Sequence, residues 1–109
     1  MDKEILKKMV EMDTVEGKLI KLGEEVTELR FALQDFKTPV KDILLEMAQV
    51  TFVIFQLKAI GKNYNNILHD MLKKYSLEGE YSRIHDINCI KIGDIIEKEY
   101  KKNCERLGI

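Results

Sequence analysis

Glu24, Glu25 and Glu28 fall within five residues in the stretch GEEVTELRFAL at 23–33, on a segment whose apolar residues recur at helical spacing. Residues three apart on a helix are neighbours, so Glu25 and Glu28 project together at the edge of the apolar stripe, in the row that also holds Lys21 and Ala32. Glu24 points further round, towards solvent. A second polar row lies on a very apolar segment downstream: Asp42, Glu46, Gln49 and Gln56, with Val53 between them. Two like charges ~5 Å apart repel by about 3 kcal/mol at an effective dielectric of roughly 20. Carboxylates crowded into a cleft therefore need protons, lysines or a cation beside them. A hard divalent cation offsets the charge best, and Mg²⁺ prefers oxygen ligands while keeping waters and substrate phosphates in its shell. The two rows predict a shared divalent-metal site.

A plainer account exists for each residue. Glu pairs at i,i+3 commonly form a solvated helix face. Asp42 stands in a first turn, where an acid complements the helix dipole. Gln49 and Gln56 can bridge helices by hydrogen bonds. Glu46 resists such a reading, because an acid in a nearly all-apolar helix must be paired or functional.

The elements that would position these groups are helices. Ile5, Leu6, Met9 and Val10 form one face of a short first helix, and Asp13 with Glu16 reads as a capping-box variant opening a second. Val15, Leu19, Leu22, Val26, Leu29, Leu33 and Phe36 then alternate in steps of four and three, the stripe of a helix packed along its length. Thr38-Pro39 reads as the N-cap and first residue of a third helix over about 40–60. Thirteen of its eighteen residues from Ile43 to Ile60 are apolar on all sides, which predicts the buried central helix. Gly61-Lys62-Asn63 ends it. Tyr64, Ile67, Leu68, Met71, Leu72 and Tyr75 predict a fourth helix, broken at Leu77-Glu78-Gly79. Ile92, Ile95, Ile96, Tyr100, Cys104 and Leu107 predict a last one, with residues 80–91 either extending it or connecting to it. The expected fold is all-α, a single domain over 1–109 forming a four- to five-helix bundle with short connections, the two polar rows on helices over about 14–60 and the C-terminal helices over about 63–107.

Composition narrows the function classes. Eighteen basic residues against nineteen acidic ones give a formal charge of −1, so nucleic acid is not an expected partner. Cys89 and Cys104 form neither a CxxC nor a zinc spacing and read as reduced thiols, which predicts a cytoplasmic location. MDKEILKKMVEM lacks the apolar core of a signal peptide, and no run approaches the roughly 18 apolar residues of a membrane span.

The motif Glu24-Glu25-Val26-Thr27-Glu28, followed after 17 residues by Glu46-Met47-Ala48-Gln49, resembles the E-E-x-x-E and E-x-x-D pair of the MazG-type all-α nucleoside triphosphate pyrophosphohydrolases, whose relatives include all-α dUTPases and phosphoribosyl-ATP pyrophosphohydrolase. The likeness is best over about 14–60; beyond 62 it extends only to further helices. The resemblance implies Mg²⁺-dependent (or Mn²⁺-dependent) cleavage of a nucleoside triphosphate to a monophosphate and pyrophosphate. It implies Glu25, Glu28 and Glu46 as catalytic metal ligands, Gln49 at the fourth ligand position, Glu24 as motif partner and Asp42 as a further candidate. It also implies a homodimer or homotetramer. Lys18, Lys21, Lys41 and Lys58 are candidates to meet the triphosphate. Gln49 departs from the family pattern, where an aspartate stands: the amide coordinates through its oxygen but brings no charge and cannot act as a base. The alternative is therefore a weakened or inactive relative, serving as a nucleotide-binding or protein-interaction module.

Other constellations carry less. His69-Asp70 and His85-Asp86 lack the further His and Asp that an HD phosphohydrolase site requires, and no Glu-x-x-His of a di-iron bundle occurs. Cys89 and Cys104 read as small buried hydrophobes rather than nucleophiles. The locally basic KEYKKNCER at 98–106 reads as a solvated helix face.

Overall fold

A computed structural model describes residues 1–35, 37–75 and 89–109, and all its regular elements are helices. In order they are α1 (Lys3–Asp13), α2 (Val15–Gln34), α3 (Val40–Ala59), α4 (Asn65–Tyr75) and α5 (Cys89–Leu107). Phe36, the break at 77–79 and His85-Asp86 lie outside the described residues, as do the side chains of Leu68, His69, Leu72, Tyr75 and Cys89. Among the described residues no helix is long and apolar enough to cross a membrane.

The nearly all-apolar helix is the central one, as its composition predicts: α3 packs against α1, α2, α4 and α5. Its two sides serve two apolar clusters. On one, Ile43, Met47, Val50, Val53, Ile54 and Leu57 meet Leu22 and Leu29 of α2 and Met71 of α4. On the other, Ala48, Phe52 and Ala59 meet Leu6 and Met9 of α1 and Ile96 of α5. Burying a Leu, Ile or Phe side chain stabilises by about 1.5–3 kcal/mol relative to leaving it exposed, so this helix carries most of the core. It ends where Gly61 adopts φ 84°. The Gly61 and Lys62 N–H groups then donate to Lys58 and Leu57 carbonyls at 3.0 Å each, satisfying two end carbonyls of the helix.

Two helix starts differ from expectation. Asp13 does not cap α2; it is the last residue of α1, and Thr14 is the cap. Thr14 Oγ1 accepts from Gly17 N at 3.0 Å, one residue closer than Asp13 stands, which frees the Asp13 carboxylate to reach across to Lys18 Nζ at 3.0 Å. Likewise Pro39, not Thr38, occupies the cap position of α3; its carbonyl receives Asp42 N at 3.0 Å, and no side-chain cap bond is made. An extended ψ of 144° at Pro39 places the turn one residue later than the Thr-Pro pattern suggests.

Thr14 links α1 to α2 alone and does so at φ 69°, ψ 155°, close to a region reserved for glycine. Such a conformation costs about 1–3 kcal/mol in a side-chain-bearing residue, whereas glycine at an N-cap gives up only a few tenths relative to threonine. Allowing for the extra freedom of glycine in the unfolded chain, Thr14→Gly is expected to raise the melting temperature by a few degrees. Thr14→Ala keeps the strained backbone, loses the cap and should lower it. Thermal melts of both variants check this; a lower melting temperature for both would remove the strain argument.

Candidate metal centre

Helices α2 and α3 run antiparallel, so three residues back on α2 matches three residues forward on α3. Glu28 faces Glu46, and Glu25 faces Gln49. The i,i+3 spacing within each helix thus becomes a four-cornered group between them. Glu25, Glu28 and Glu46 each offer an oxygen within 4.8 Å of the others. Glu25 is 4% exposed, Glu46 is half-buried and Glu28 faces solvent, which makes one wall dry and one wet.

With its amide oriented to satisfy the network, Gln49 Nε2 donates to Glu25 Oε2 at 3.1 Å and to Glu46 Oε2 at 3.2 Å. The other oxygen of Glu25, Oε1, accepts from Lys21 Nζ at 2.8 Å. Both oxygens of the buried carboxylate are therefore held. The hydrogen bond to Glu25 raises the Lys21 pKa above its ordinary value, with the charges of Glu25, Glu24 and Glu28 adding to it.

No cation among the described residues acts on Glu46 in this way. Burial, the hydrogen bond with Glu28, and the charges of Glu28, Glu25 and Asp42 push its pKa from 4.5 to about 7. Between these values the folded protein keeps a proton that the unfolded chain has released. The resulting stabilisation is full below about 4.5 and is lost as pH rises through about 7. In EDTA, the difference in melting temperature between wild type and Glu46→Gln should therefore turn against the wild type as pH goes from 5 to 8.5. A difference that stays constant over that range would show that Glu46 is not held among like charges.

The remaining candidates separate. Glu24 is exposed, and Asp42 is exposed in the first turn of α3, acting on Glu46 only through its charge. Lys18 is buried and paired with Asp13, which Arg106 also approaches at 3.5 Å. This pairing holds the Asp13 carboxyl below its usual range, with Lys18 as the main cause. Lys58 lines an apolar groove with Met1, Leu6 and Phe55, remote from the carboxylates, and Lys41 is exposed on α3.

Beside the carboxylates a cleft opens between α2 and α5. An outer part of ≈ 430 Å³ is lined by Asp13, Gly17, Lys18, Lys21, Glu99, Lys102, Asn103 and Arg106. An inner part of ≈ 120 Å³ shares Lys18, Lys21, Glu99 and Asn103, and reaches Glu25, Gln49, Phe52, Val53 and Gln56. The cleft is thus basic at its mouth and touches the carboxylate group at its inner end. Lys102, Asn103 and Arg106 belong to the segment read above as a solvated face. Its legible signal was a polar row, Glu99, Lys102, Asn103 and Arg106 at i, i+3, i+4 and i+7, beside the apolar row that docks α5. Gln56 donates only weakly, to Met9 Sδ at 3.4 Å, and its Oε1 has no partner among the described residues.

The donor set fits a hard divalent ion. All three acids offer oxygen, the amide of Gln49 offers oxygen when turned over, and ligand oxygens around Mg²⁺ stand ~3–4 Å apart at its ~2.1 Å bond length. The three carboxylate oxygens, within 4.8 Å of one another, stand close to that spacing. No protein-family model, curated protein or solved structure matches this chain.

Proposed function

We propose that the chain is a Mg²⁺-dependent pyrophosphohydrolase of the MazG type, cutting a nucleoside triphosphate to monophosphate and pyrophosphate. The observation that carries this reading is the convergence of Glu25, Glu28 and Glu46 from two helices to within 4.8 Å of one another, with Glu25 lining the inner end of a basic cleft. When bound, the divalent ion neutralises phosphate charge and polarises an attacking water. Glu25, Glu28 and Glu46 would hold it, and the solvent-facing Glu28 would be placed to accept a proton from water. Lys21, Lys102 and Arg106 offer charge to the phosphates, with Asn103 as a neutral donor between them. Glu24 remains a motif neighbour on the solvent side, and Asp42 acts at a distance.

The assay is a panel of nucleoside triphosphates with Mg²⁺ or Mn²⁺, read for products. Monophosphate and pyrophosphate are expected; orthophosphate as the initial product would mean a different reaction. The proposed setting is cytoplasmic, with a second copy of the chain as partner. Ile20 and Phe31, 64% and 66% exposed on the outer face of α2, support a homodimer or larger homo-oligomer.

One observation favours a second reading. Gln49 Nε2 and Lys21 Nζ between them satisfy the buried carboxylate without any ion. A non-catalytic relative that binds nucleotide or a protein partner would show this closed network and no turnover. Melting temperatures in millimolar Mg²⁺ separate the two, because site-specific binding raises them by mass action.

A further inference from the structure

Every oxygen of Glu25 is occupied: Oε1 by Lys21 at 2.8 Å and Oε2 by Gln49 at 3.1 Å. Each oxygen keeps a second lone pair, but a cation that binds this buried carboxylate meets the positive ends of both donors. Gln49 can stay, since rotating its amide exchanges a donor nitrogen for a ligand oxygen. Lys21 does not stay, because an ammonium and a divalent cation on the same carboxylate repel strongly even at the effective dielectric of a protein surface. Lys21 is also free to move: its side chain is 52% exposed, while that of Glu25 is 5% exposed. Where it goes is set by the cleft. Lys21 lines both the inner and the outer part, and in the outer part it stands with Lys102, Asn103 and Arg106. The inner part bears an independent mark of a ligand, the 1% exposed Gln56 with an unpartnered Oε1 among the described residues.

We propose that Lys21 is a displaceable counter-ion, neutralising Glu25 in the metal-free protein and passing to a phosphate of the anionic ligand when a divalent cation takes its place. This rests on the metal reading above and adds to it an order of binding. Cation and anion then bind with positive coupling, because the first releases the charge that the second uses. Coupling of this kind is reciprocal, so the anion also tightens the cation. Removing the ammonium has effects of opposite sign on the two ligands, which a purely structural lysine does not produce.

The test is calorimetric titration of Mg²⁺ alone, and then of an α,β-methylene nucleoside triphosphate in saturating Mg²⁺ and in EDTA, at pH 8.5. Lys21→Met is expected to bind Mg²⁺ at least ~3-fold more tightly, the worth of a partly exposed ion pair. It should bind the triphosphate roughly tenfold more weakly in Mg²⁺, the worth of one charge-assisted contact, and unchanged in EDTA. Lys21→Arg, which keeps the charge, should sit near wild type. Mg²⁺ affinity that stays the same or weakens in Lys21→Met overturns the exchange, as does an equal loss of triphosphate affinity in EDTA. If the wild type itself binds no Mg²⁺, the metal reading falls first; if it binds Mg²⁺ and Lys21→Met behaves like it, only the exchange falls.

Discussion

Gln49→Asp is expected to tighten Mg²⁺ binding by about tenfold or more, to raise turnover, and to lower the melting temperature of the metal-free protein above pH 7. The wild-type amide nitrogen donates to Glu25 and Glu46 at 3.1 and 3.2 Å. A carboxylate at that position accepts only, so both hydrogen bonds become repulsions of about 3 kcal/mol each before relaxation and proton uptake. The metal-free site then holds four acids and one lysine. An added divalent ion attracts all the carboxylates and outweighs their mutual repulsion, which is why the two effects have opposite signs. The tenfold figure corresponds to about 1.4 kcal/mol, a small part of the charge gained, since the shorter Asp side chain reaches the ion less directly. Calorimetry and melts with and without Mg²⁺ measure it. Unchanged metal affinity together with an unchanged metal-free melting temperature would place Gln49 outside the ion's surroundings.

Glu25→Gln has the largest expected effect on activity, a loss of roughly a thousandfold, about 4 kcal/mol of transition-state stabilisation. The substitution keeps volume and removes one charge from the dry side of the site. Its effect on folding should be small or favourable. The like charges of Glu28 and Glu46 lose a neighbour, and the released Lys21 is half-exposed, so no charge is left buried and unpaired. The expected pattern is a folded protein of near-normal melting temperature that neither binds Mg²⁺ nor gains stability from it. Glu24→Gln, one residue away and exposed, is the control: it should alter Mg²⁺ affinity by less than about threefold. Loss of folding in Glu25→Gln with metal affinity intact would assign Glu25 a structural role instead.

The carboxylate site was largely legible from spacing. Three-residue intervals within α2 and within α3 put Glu25 beside Glu28 and Glu46 beside Gln49, and the apolar surroundings of Glu46 announced that it needed a partner. Helical register does not say how two helices face each other. The pairing of Glu28 with Glu46 follows from antiparallel packing of the Leu22 and Leu29 stripe on Ile43, Met47 and Val50. The role of Gln49 was half visible: a neutral residue could be seen, but not that its nitrogen would bridge two acids.

The cleft was the least legible part. Lys102, Asn103 and Arg106 lie over seventy residues from Glu28, and a basic helix face in solvent has the same pattern as one beside a site. Only the docking of Ile96 and its neighbours onto α1 and α3 turns that row toward Lys18 and Lys21. Asp13 is a similar case: as a residue type it suits a helix cap, and only the strained Thr14 link makes it an ion-pair partner.

The chain's own order of residues determined the helices, the central place of α3 and the pairing of acids along each helix, because these depend on interactions three or four residues apart. Tertiary packing alone decided which acid faces which, that Lys21 and Gln49 occupy both oxygens of Glu25, and that α5 closes a basic cleft beside them. The physical reason is range: backbone hydrogen bonds and side-chain periodicity act locally, whereas charges from distant segments meet only where the burial of apolar stripes brings their helices together.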